Sequence, residues 1–190
     1  MADIVCVEPG VDHERSVVEV NGSDTLVFPH VDSCMSVTLF VPSSTLIGGH
    51  AGMMDTTTFE MNASGLLDAM IQRMLRLVGT RKIVRAVFAG NADPNAAGGE
   101  NWQVVTQIAK LRRMADNPHL PCPLVNSWET PKGIDVFFDN AELRMKVQLY
   151  EFERNRGEVG VPARRAPELN VPYHAIRKIE EPRLNSSHRR

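Results

Sequence analysis

Two β-prone runs joined by a tight turn constrain this chain more than any other feature. The first opens Asp32-Ser33-Cys34 and continues Met35-Ser36-Val37-Thr38-Leu39-Phe40-Val41 up to Pro42; the second closes on Ile47-Gly48-Gly49-His50. Between them, Pro42 and the Ser43-Ser44-Thr45 cluster supply the residues of a turn. Paired as antiparallel strands, the runs set Cys34 and His50 side by side at one end of a sheet. A thiol beside an imidazole is a means of making a thiolate, so the hairpin is also the candidate site.

Short β-prone pieces precede it: residues 3–7, stopped by Pro9-Gly10; residues 16–20, closed by Asn21-Gly22; and residues 25–28, broken by Pro29. After His50 the texture changes, and residues 51–60 read as a loop. Leu66, Leu67, Met70, Ile71, Met74, Leu75 and Val78 then recur at helical spacing, with Asn62 or Ser64 able to cap the start and Gly79 the end. Residues 82–89 follow as a buried strand, 90–99 as a loop, and 101–115 as a second helix that Pro118, Pro121 and Pro123 forbid from continuing. Residues 124–128, 134–138 and 143–150 are strands, the last two a hairpin turning at Asp139-Asn140. This order predicts an α/β (α+β) fold of mixed, largely antiparallel sheets with helices packed on the surface, one domain over residues 1–152. Residues 154–190 carry nine Arg or Lys against four Asp or Glu and show little periodicity, which predicts an extended, partly disordered basic tail over 153–190. Residues 154–190 are net +5 and the residues before them net −7, so the tail either drapes over its own acidic body or serves as a targeting or partner-binding arm.

Several function classes fall away on composition. No apolar run approaches the ~20 residues of a membrane span, and the N-terminus lacks the basic and apolar regions of a secretory signal. Cys6, Cys34 and Cys122 form neither a CxxC nor a tight pattern, and no HExxH occurs, which argues against a disulfide framework and a structural zinc site. Free thiols point to a reducing, cytoplasmic setting, with export by a signal-independent secretion machine as the alternative. Gly48-Gly49 and Gly98-Gly99 are isolated pairs rather than phosphate-binding loops. A net charge of −2, with no aromatics interleaved among the tail arginines, counts against nucleic acid. Oligomeric state is not legible.

A cysteine nucleophile must ionise near neutral pH, reach a base, and have amide donors for the oxyanion. Cys34 is the candidate nucleophile and His50 the base. Amides at the strand start, near Ser33 and Cys34, are candidate oxyanion donors, and Gly49, with Gly48, lets the backbone approach closely. By strand parity His30 and Asp32 share a face with Cys34, and Asp55 on the next loop is placed to orient His50. The plainer reading makes Cys34 a small buried hydrophobe and His50 a surface or capping residue.

Ser33-Cys34, the run 35–40, Pro42 eight positions after the cysteine, Ile47-Gly48-Gly49 and His50 resemble the signature of the chemotaxis receptor glutamine deamidases (CheD). In looser form they resemble the catalytic domain of cytotoxic necrotizing factor. The likeness extends weakly over residues 20–150, through the helix 66–78, the Arg85-Ala86-Val87-Phe88-Ala89-Gly90 strand, the Glu100-Asn101-Trp102 helix start and the closing strands at 134–147. It implies a CheD-like layered sandwich and a cysteine-dependent deamidase of protein glutamine, either a housekeeping enzyme or an effector delivered into another cell. It implies no metal or organic cofactor, and a protein substrate as partner. CheD has a Thr six positions before its cysteine; here that position is Phe28, and Thr25 takes the role if Pro29-His30 form a bulge. The necrotizing-factor relatives use a backbone carbonyl instead. The alternatives are a non-catalytic interaction protein that keeps the fold, or another Cys/His hydrolase such as a protease.

Overall fold

The computed structural model describes residues 1–92, 102–126, 133–152, 162–164 and 169–177. Its strands are β1 (Asp3–Val5), β2 (Val17–Val20), β3 (Thr25–Val31), β4 (Met35–Val41), β5 (Thr45–Ala51), β6 (Arg85–Gly90), β7 (Leu124–Asn126), β8 (Gly133–Asp139), β9 (Arg144–Phe152), β10 (Pro162–Arg164) and β11 (Leu169–Pro172). Two helices, α1 (Ala63–Val78) and α2 (Val104–Met114), lie between β5 and β7 in the chain. The strands form two mixed, largely antiparallel sheets. One runs β1-β3-β8-β9-β10, with β11 also on β9; the other runs β2-β5-β4-β6-β7. Among the described strands only β1 with β3 and β6 with β7 pair in parallel.

The β4–β5 hairpin is the centre of the second sheet. Val41 pairs with Thr45 and Met35 with Ala51, and the turn between holds Ser43 and Ser44 at positive φ. Every residue of both strands is buried, which fits strands covered on both faces. One face of this sheet meets the first sheet in a shared core: Phe40, Leu46 and Val87 pack with Leu26, Phe28, Phe138 and Val147. The other face carries the helices, where Val37, Leu39, Ile47 and Phe88 meet Leu67, Met70, Met74 and Leu111. The layers are therefore sheet, sheet, helices.

The hairpin glycines make this layering possible. A Cβ at Gly48 would lie 2.9 Å from the Leu26 methyls, and one at Gly49 would lie 2.5 Å from the Met74 sulfur. Gly48 thus admits the first sheet and Gly49 admits α1.

The expected elements lie where the periodicity put them, with shifted ends. Helix α1 starts at Ala63 from Asn62 and stops at Gly79, whose φ is 62°. The hairpin at Asp139 is capped by that residue's Oδ1, which accepts from the amides of Ala141 and Glu142 at 3.0 Å each. The reading of residues 153–190 as a tail is corrected over the described part. Leu169–Pro172 forms β11 against β9, and Tyr173 packs edge-on against Phe40 at 4.9 Å between centroids. The contacts that hold it run opposite to the charge argument. Body residues Arg85 and Arg144 donate to the carbonyls of Tyr173 and Asn170, at 2.7 and 3.0 Å. Residues 153–161, 165–168 and 178–190 of that segment, residues 93–101, which hold most of the expected loop at 90–99, and residues 127–132 lie outside the described residues.

Candidate active site

Cys34 immediately precedes β4, and Ser36 lies opposite His50 in the β4–β5 ladder. Side chains two apart share a face, so Cys34, Ser36 and His50 all belong to the face turned toward the first sheet. Cys34 belongs to the core between the sheets, and the His50 ring stands edge-on to Phe28, 6.0 Å between centroids. Gly90 at the end of β6 lets the backbone close on this point, since a Cβ there would sit 2.5 Å from the Cys34 carbonyl oxygen.

His50 is 2% exposed, and its Nδ1 lies 2.9 Å from the carbonyl oxygen of Cys6. A carbonyl only accepts, so Nδ1 carries the proton and donates. Nε2 is then a bare lone pair, with no hydrogen-bond partner among the described residues. Burial holds the imidazole below its ordinary pKa, opposed by the bond to Cys6. The ring is a neutral base with its accepting nitrogen unengaged.

Cys34 is 3% exposed yet lines a cavity of about 720 Å³. Its thiol donates to Glu8 Oε2 at 3.0 Å rather than to His50. Burial pushes the thiol well above its ordinary pKa; Glu8 and then Asp32 push the same way, and the Ser33 hydroxyl acts against them. In this state the sulfur is protonated, which departs from the neutral-pH thiolate expected of the sequence pair. The cavity's apolar wall includes Met53, Met54, Leu66 and Met70, and Phe59, 76% exposed, stands at its rim.

The other expected site residues separate. Thr25 sits at the far end of β3, opposite Asp139 and Asp3. A register shift does occur between Phe28 and Val31, as the Thr25 assignment required, but Thr25 is three residues before Phe28 and so points to the other face. The group that orients His50 is the Cys6 carbonyl, so Thr25 is corrected to a strand-end residue. Gly49 is paired on both sides, with Val17 and Val37, which engages its backbone in the sheet, and its bare face serves α1 rather than an oxyanion. Ser33 lines the cavity, but its amide donates to Asp32 Oδ1 at 2.7 Å. Asp55 accepts from the amides of Thr57 and Thr58 in its own turn, and His30 donates its amide to Asp135 at 2.9 Å.

Sequence reasoning missed the segment Cys6–Glu8. Its two useful groups, a carbonyl and a carboxylate two residues on, have no local signature, because their role depends on β1 lying beside β3. Cys6 itself is buried and its thiol donates to the Ser16 carbonyl; Cys122 is half-buried, with burial raising its pKa. Among the described residues no group of three His, Cys, Asp or Glu side chains is placed to hold a metal ion, and no helix is long and apolar enough to cross a membrane.

Fold and site together define a layered β/β/α protein with a cavity-lining cysteine and a neutral histidine on the same inner face, the histidine itself lying outside the cavity lining. No protein-family model matches the chain, and no curated protein sequence matches it.

Proposed function

We propose that this chain is a cysteine-dependent protein glutamine deamidase with a CheD-like layered sandwich, acting in the cytoplasm or delivered into another cell. The observation that carries the reading is His50: its Nδ1–H is tied to the Cys6 carbonyl, which leaves a bare Nε2 on the face that holds the cavity-lining Cys34. The backbone carbonyl behind the histidine also fits the necrotizing-factor form of the site better than the CheD form.

In the proposed reaction Nε2 takes the Cys34 proton and the sulfur attacks the side-chain amide carbon. The C–N bond then breaks, the imidazolium returns the proton to departing ammonia, and a thioester remains. Water, deprotonated by Nε2, attacks the thioester and releases glutamate and the thiol. The partner is a protein bearing a target glutamine; no organic cofactor or nucleic acid enters the scheme. The first step requires the thiol to leave Glu8 and the Ser33 amide to leave Asp32.

The test is ammonia release, with a gain of about one dalton on an intact glutamine-bearing substrate; a cleaved chain would identify a protease instead. Cys34→Ala and His50→Ala should each lower the rate at least ~100-fold while the fold persists. Wild-type rates in either variant would remove that residue from the mechanism.

A second reading has its own support. The raised pKa of Cys34 and its bond to Glu8 suit a non-catalytic interaction protein that retains this fold. Cys34 that stays slow toward iodoacetamide even after Glu8→Gln would favour it.

A further inference from the structure

We propose that Glu8 is the specificity-determining residue of this site, accepting from the N–H of a carboxamide held at Cys34 and turning away a carboxylate. The inference rests on the deamidase reading and adds to it the means by which substrate amide is told from product acid. Oε2 of Glu8 is 3.0 Å from the sulfur and accepts its proton, and both residues line the same cavity.

The carboxylate is held there by its backbone. Cys6 N–H donates to the Val27 carbonyl and Val7 N–H to the Arg15 carbonyl, at 2.8 and 3.0 Å. The Glu8 carbonyl accepts from Val11 and Asp12, closing a turn directly after it. Across the hairpin Gly52 lies beside the carboxylate, where a Cβ would make ordinary van der Waals contact with Glu8 Oε2 at 3.6 Å. One short segment therefore orients the base through Cys6 and faces the nucleophile through Glu8.

The chemistry follows from what an acceptor-only group can do. An amide that approaches the sulfur with its carbonyl carbon brings an NH₂ within reach of Oε2, and the amide N–H replaces the thiol S–H as donor. The freed thiol can then turn to Nε2 of His50. A carboxylate in the same pose brings a second negative charge to Glu8 and no proton. Asp55, Arg73 and His13 also line the cavity: Asp55 accepts from the amides of Thr57 and Thr58, and Arg73 donates to the Ser16 hydroxyl and the His13 carbonyl at 2.9 and 3.1 Å, while Asp32, outside the lining, is exposed and accepts from the Ser33 amide.

Iodoacetamide and iodoacetate test this directly, because each presents the same carbon to the sulfur with either an amide or a carboxylate attached. In both, the sulfur forms a bond to the CH₂ and iodide leaves. Alkylation of Cys34 is followed by peptide mass mapping in the folded chain and in the urea-unfolded chain. The amide-to-acid rate ratio at Cys34 should be about tenfold higher folded than unfolded. Glu8→Gln should bring it to within about twofold of the unfolded ratio, whereas Asp32→Asn should leave most of it in place. Equal folded and unfolded ratios in the wild type, an unchanged ratio in folded Glu8→Gln, or loss of the preference in Asp32→Asn would overturn the proposal. If Glu8→Gln does not fold, the wild-type and Asp32→Asn ratios decide alone. The reading is separable from activity: discrimination through Glu8 without ammonia release would retain it and remove the deamidase, and ammonia release with equal ratios would do the reverse.

Discussion

His50 is buried as a neutral ring because a carbonyl fixes one nitrogen and no anion touches the other. This has a consequence for stability. Burial lowers its folded pKa below the unfolded value of about 6.5. The unfolded chain therefore binds the proton first as pH falls. The contribution is complete above about pH 7 and is lost below it, with a limiting slope of about 1.4 kcal/mol per pH unit. The Tm should fall between pH 7 and pH 5, and His50→Gln should flatten that segment of the curve; an equally steep fall in the variant would show that other groups carry it. Cys34 and His50 were legible as a pair because the turn that joins their strands is local. Their protonation states were not, since the carboxylate against the thiol and the carbonyl against the imidazole both arrive from residues 6–8, far away in the chain.

At the scale of elements, the glycines of β5 and β6 fail differently. A methyl at Gly49 meets the flexible ends of Met70 and Met74, which can swing aside. A methyl at Gly90 meets the Cys34 carbonyl oxygen and Met35 Cα, which belong to the backbone of the central hairpin. Gly90→Ala should therefore destabilise by about 3 kcal/mol and Gly49→Ala by about 1, read from urea midpoints. The reverse ranking would mean that β6 closes on Cys34 less tightly than described. The strands and helices themselves were legible: α1 from its apolar spacing, β4 from its β-prone run, both hairpins from their turn residues. Thr25 was misassigned because the sequence shows only that Pro29-His30 can disturb the strand, whereas the face Thr25 presents is set by its distance from Phe28.

Across the whole molecule, the last described strand closes the core. Leu169, Val171 and Ile176 are buried between the sheets, and Tyr173 donates to Asn140 at 2.8 Å while its ring covers Phe40 and Phe138. Burying three aliphatic side chains of this size contributes about 1.5–3 kcal/mol each. A chain ending before Leu169 should lose roughly 5 kcal/mol or fail to fold cooperatively. A truncated chain with the full-length urea midpoint would show that β11 is dispensable. Composition misled here because the Arg-rich residues around positions 164–190 dilute a short apolar segment, and a seven- to eight-residue stretch is too brief to show a period.

Alone, the amino-acid order determined what neighbours in the chain can settle: which stretches are extended or helical, where they turn, and that one thiol and one imidazole end on the same edge. Only the tertiary structure decided what meets that edge. Two sheets had to pack face to face before the Cys6 carbonyl could fix His50 and the Glu8 carboxylate could hold Cys34, because both contacts join residues more than twenty-five positions apart. Burial then decided the charge on each group, and burial is a property of the assembled layers rather than of any segment within them.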